Sequence, residues 1–97
     1  MASDADNRAF ILRKMLYHGY VGGKHTDIEN LPKGKPTSEH GDIMRAVKEL
    51  IRDGWILPKR VPYGSRTHVS INARALAEIR AFLDEWLRDS GSHAIGS

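Results

Sequence analysis

The sequence predicts an α+β fold: a three-helix core, a β-hairpin and a further C-terminal helix. Three observations carry this. Apolar residues recur at helical spacing from Asp6 to Tyr20 and again from about residue 38 to Asp53, which marks two amphipathic helices. Between Trp55 and Ile71 two short runs flank Pro62-Tyr63-Gly64-Ser65, and the second run alternates apolar and polar residues as a half-buried strand does. Asn72 then stands where a helix cap belongs, ahead of a third amphipathic stretch.

In order, the first helix carries Phe10, Ile11, Met15 and Leu16, with Tyr17 beside them; Ser3, Asp4 or Asp6 caps its start and Gly19 ends it. Gly22-Gly23 signals a turn, and Asp27 to Leu31 has room for one short helical turn before Pro32. Lys33-Gly34-Lys35-Pro36 reads as loop, after which Thr37 or Ser38 caps the helix that Gly54 terminates. Trp55-Ile56-Leu57 opens a strand, and Pro58 puts that strand at a sheet edge or a bulge. The last helix is expected from Ala73 to about Arg88. Residues 1–89 therefore form one domain, and residues 90–97 read as a disordered tail. Helix, short helix, longer helix, hairpin, helix is the order of a winged helix-turn-helix.

Composition narrows the function. A chain of 97 residues has room for one domain and little else, which argues against a large catalytic scaffold. The longest apolar runs, such as Phe10-Ile11-Leu12, fall far short of the roughly 20 residues that span a bilayer. No membrane partner is expected. The first ten residues show no basic cluster ahead of an apolar stretch, so no secretory signal is read there and cytoplasm is the default location. Without Cys there are no disulfides and no cysteine-based zinc sites.

The net charge of +3 is unevenly spread. Between residues 33 and 66, Lys33, Lys35, Arg45, Lys48, Arg52, Lys59, Arg60 and Arg66 outnumber Glu39, Asp42, Glu49 and Asp53. On the longer helix, Ile43, Val47, Leu50 and Ile51 fall in an arc of about 100°, while Arg45, Lys48 and Arg52 occupy about 60° nearly opposite. A basic stripe opposite the buried one suits a recognition helix, because a major groove admits a helix whose Arg and Lys reach phosphates and guanine edges. The competing reading is a solvated face in which Glu49 and Asp53 pair with Arg45, Lys48 or Arg52. Ser38 and His40, at the helix start, are candidate supporting contacts. Lys59, Arg60, Tyr63 and Arg66 are candidate contacts of a hairpin wing, and Lys33 and Lys35 could add phosphate contacts.

The last helix carries Leu76, Ile79, Phe82, Leu83, Trp86 and Leu87. The spacing of Leu76, Ile79, Leu83 and Trp86 fits a coiled-coil-like seam, which predicts a homodimer presenting two recognition helices. The alternative is that helix one and the hairpin consume the stripe. No enzyme activity is expected. His25, His40 and His68 lack metal-ligand spacing, Ser38, His40 and Asp42 lack the geometry of a triad, and the residues around Gly22-Gly23-Lys24 do not complete a phosphate loop. No cofactor and no metal are called for.

The chain also resembles a group of short archaeal winged-helix proteins, mostly uncharacterised. The matching residues are Gly22-Gly23-Lys24-His25-Thr26, Asn30-Leu31-Pro32-Lys33-Gly34-Lys35-Pro36, Glu49-Leu50-Ile51-Arg52-Asp53-Gly54, Tyr63-Gly64 and Val69-Ser70-Ile71-Asn72. The likeness covers roughly residues 10 to 80 and departs after Pro36, where Thr37-Ser38-Glu39-His40 replaces a more basic helix start. It implies the winged-helix fold and, by analogy, duplex-DNA binding in transcription regulation. The alternative function is a protein-interaction module that docks a partner on the apolar face of the last helix.

Overall fold

The computed structural model describes residues 3–60 and 67–95. It is an α+β fold of three α-helices and a three-stranded antiparallel sheet.

Helix α1 spans Asp4–His18. Ser3 and Asp6 form a capping box, the Asp6 amide donating to Ser3 Oγ at 3.1 Å and the Ser3 amide to Asp6 Oδ2 at 3.3 Å. The helix stops at Gly19, whose φ of 74° a residue with a Cβ adopts only under strain. Ala9, Ile11, Leu12 and Met15 form its buried stripe.

The chain then makes a strand the sequence did not reveal, β1 (Thr26–Asp27), followed by the expected short turn, a 3-10 helix over Ile28–Asn30. The Asp27 carboxylate caps that turn at the Glu29 amide, 3.0 Å away.

Helix α2 runs His40–Arg52 after a 3-10 turn at Thr37–Glu39. Here the expected cap is corrected: neither Thr37 nor Ser38 caps by its side chain, because both are drawn into the 3-10 turn and Glu39 becomes the residue preceding α2. Gly54, at φ 81°, reverses the chain after α2. Ile43, Ala46, Val47 and Leu50 are buried against α1, and Ile51 is only half-buried.

Strands β2 (Ile56–Arg60) and β3 (Thr67–Ile71) pair from Ile56 opposite Ile71 to Arg60 opposite Thr67. β3 lies in the middle, with β1 on its other side through Thr26 opposite Val69 and Asp27 opposite His68. Pro58 thus sits in an edge strand, where its missing N–H costs no ladder bond. Paired residues share a face, so Ile56, Val69 and Ile71 all turn to the core and are fully buried, while Asp27, His68 and Lys59 share the opposite face.

A 3-10 turn at Ala73–Ala75 leads into α3, Leu76–Ile95. Asn72 holds this junction from both sides. Its Oδ1 accepts from the Arg74 amide at 3.0 Å and its Nδ2 donates to the Gly54 carbonyl at 2.9 Å. α3 continues past the end expected near Arg88 and into the segment read as a tail.

Ile79 and Leu83, expected at a dimer seam, are instead buried at 0% and 8% exposure in the chain's own core, with Leu76 and Trp86 packed beside them. The physical reason is that helices α1 and α2 and a small sheet leave one side of the core open, and the apolar stripe of α3 closes it. Phe82 meets Trp55 edge to face at 5.6 Å between ring centroids. Each fully buried Ile or Leu contributes about 1.5–3 kcal/mol, so α3 is an integral part of the domain. Among the described residues, no helix is long and apolar enough to cross a membrane.

Candidate nucleic-acid interface

The side of α2 away from the core presents Arg45, Lys48 and Arg52, all exposed. Glu49 and Asp53 are oriented elsewhere. Arg8 of α1 takes Glu49 Oε1 at 3.0 Å and Asp53 Oδ2 at 3.3 Å, so both carboxylates are drawn toward the α1–α2 seam. Glu49 thus departs from the local pairing that the sequence allowed, whereas Asp53 keeps a second contact of that kind with Arg52. Two looser contacts remain at 3.5 Å, Arg45 with Asp42 and Arg52 with Asp53. With both Arg side chains 70% exposed, such pairs contribute little and are easily exchanged for a phosphate. Lys48 has no ion-pair partner among the described residues.

Ser38 is exposed beside this face, in the turn before α2. His40 is placed differently from the sequence reading of a groove contact. Its ring is half-buried and its Nε2 lies 2.8 Å from the Lys35 carbonyl oxygen, which makes it a brace between the loop and α2. Lys59 is half-buried on the outer face of the sheet and Arg60 closes β2. Tyr63 and Arg66 lie outside the described residues.

The loop before α2 is tied to α1 by Lys14 and Lys35. Lys14 Nζ donates to the carbonyls of Asn30 at 2.7 Å and Lys33 at 2.6 Å, and more weakly to Leu31 at 3.4 Å. Burial, and secondarily the charge of Lys33, pushes its ammonium below the usual lysine range. Lys35 lies over the Phe10 ring, 4.9 Å from its centroid, which ties the other side of the loop to α1. The signal for Lys14 was a basic residue one turn after Phe10 on a helix whose neighbouring positions are apolar, but its partners are backbone groups that only the folded loop brings together.

No family model, curated protein or solved structure matches this chain.

Its own geometry is therefore what bears on function. Two clefts among the described residues lie away from the α2 cations. One, of about 200 Å³, is lined by Lys14, His18, Tyr20, Thr26, Asn30, Leu31 and Lys33. The other, of about 320 Å³, lies between α1 and α3, where the Trp86 indole donates to Asp6 at 2.8 Å and Arg13 covers the indole face at 5.4 Å. The polar groups of both clefts are largely engaged with one another. The exposed cations of α2 are not held in this way.

Proposed function

We propose that this chain is a winged-helix protein that binds duplex DNA and regulates transcription, with α2 as the recognition helix and the β2–β3 hairpin as the wing. The observation that carries this reading is the separation of charge on α2. Arg45, Lys48 and Arg52 face solvent opposite the core, while Glu49 and Asp53 are drawn to Arg8 and only loose 3.5 Å contacts link Arg45 to Asp42 and Arg52 to Asp53. A helix inserted in a major groove meets negative phosphates on both walls, so carboxylates on its outer face would repel and cations would be drawn in. The order α1, short turn, α2, hairpin, with β1 alongside, supports the same reading.

In this reading Lys48 and Arg45 lie at the centre of the groove and Arg52 reaches a flanking phosphate. Lys59 and Arg60 bring the wing to the backbone, and Lys14 and His40 position the loop without touching DNA. The alternative of partner docking on α3 has less support, because Ile79 and Leu83 are spent on the core.

The test is fluorescence anisotropy with random-sequence duplex DNA from about 50 to about 300 mM salt. Binding should weaken steeply with salt and be lost in Arg45→Ala/Lys48→Ala. Absence of binding at the lowest salt, or equal binding by the double variant, would overturn the assignment.

A further inference from the structure

The pairing of β1 with β3 brings together two histidines that lie 43 residues apart in sequence. His25, exposed in the loop entering β1, and His68, on the central strand, place their Nδ1 atoms 2.8 Å apart. Their rings meet at 71° with centroids 4.8 Å apart. A contact of this kind needs one Nδ1 to donate and the other to accept, so at least one ring is neutral and offers a lone pair at the contact.

The position is well anchored. His68 is held by backbone pairing on both sides, opposite Asp27 on β1 and Lys59 on β2, and His25 directly precedes β1. Neutral imidazole nitrogen is a common ligand for late transition metals. Two nitrogens each about 2.0 Å from one metal, at the right angle of a tetragonal site, lie about 2.8 Å apart; a tetrahedral site needs about 3.3 Å. The observed 2.8 Å, spanned here by a hydrogen bond, matches the tetragonal spacing once each ring turns its Nδ1 toward a common ion. Among the described residues no third His, Cys, Asp or Glu joins them in a metal-holding group.

We propose that His25 and His68 form a two-imidazole site for a divalent late transition metal with tetragonal preference, such as Cu²⁺ or Ni²⁺. Binding requires each Nδ1 to donate its lone pair while each ring keeps its proton on Nε2. For the neutral pair this is a tautomer change with no net proton release, and no oxidation or reduction takes place. The bound ion joins the loop before β1 to the central strand, and because it binds the folded chain it stabilises that state by mass action.

The experiment uses the full chain, titrated with Cu²⁺ and followed by electron paramagnetic resonance, with thermal unfolding in Ni²⁺ alongside. The expected result is one Cu²⁺ per chain with hyperfine structure from two nitrogens and a rise in Tm with Ni²⁺. Both should be lost in His25→Ala, an exposed loop substitution that leaves the core intact, and kept in His18→Ala. A single-nitrogen signal, no saturable binding, or an unchanged signal in His25→Ala would each overturn the proposal.

Discussion

Arg8 on α1 and Glu49 on α2 meet at 3.0 Å across the helix seam, and through this contact the first helix sets which charges the second shows to solvent. Both side chains are about three-quarters buried, and Arg8 also holds Asp53. Replacing Arg8 with Ala should lower stability by about 1 kcal/mol, since the two carboxylates lose their shared partner. For a domain of this size, thermal unfolding should show that as a fall in Tm of about 4–8 °C.

Lys48 and His40 should separate by what they lose. Lys48→Ala should reduce the salt dependence of DNA binding by roughly 0.9 in log–log slope, the share of one neutralised phosphate, and leave Tm unchanged. His40→Ala should leave that slope intact and cost about 1 kcal/mol in urea unfolding, because the bond to the Lys35 carbonyl is lost.

Lys14 should prove structural. Lys14→Met keeps much of the side-chain length but removes the donor for the carbonyls of Asn30, Leu31 and Lys33. The expected cost in urea unfolding is about 2 kcal/mol, the range for a hydrogen bond from a charged donor.

Ile79→Ala should destabilise the domain by about 2–5 kcal/mol, as a fully buried side chain leaves a cavity. Light scattering on folded protein should give the same mass for this variant as for the parent. A change of mass without a loss of stability would instead place Ile79 in an interface between copies.

Acid should act through Asp6. The hydrogen bond from Trp86, then that from the Ser3 amide, holds its carboxyl below the ordinary 3.8, with burial opposing. Its folded value is the lower one, so its contribution is complete above 3.8 and is lost as pH falls through the folded value. Asp6→Asn should flatten the stability profile in that acid window, measured by urea unfolding at a series of pH values.

The elements were legible where local chemistry decides them. Ser3 with Asp6, Gly19, Gly54 and Asn72 are caps and stops that act on their neighbours, and each stands at an element boundary or junction in the fold. The alternation through Val69 and Ile71 gave the core face of β3, and the arc of Arg45, Lys48 and Arg52 gave the exposed face of α2. What was hidden depends on distant partners. β1 is two residues long and too short to show a period. Nothing near Glu49 announces Arg8, and His25 and His68 become neighbours only when the sheet forms. The stripe of α3 is plainly apolar in the sequence, but its periodicity is the same whether it meets a second copy or its own core.

The strand order also governs how the chain acquires its shape during synthesis. The central strand is the last of the three to be made, so neither β1 nor β2 has a ladder partner until Thr67–Ile71 emerges. Until then α1 and α2 can associate, but Ile11, Leu12, Ile43 and Leu50 lack the covering side chains of Val69 and Ile71. Such non-local closure slows folding and leaves apolar surface open on the nascent chain. Completion of the sheet therefore waits on β3, the strand on which both of the others depend.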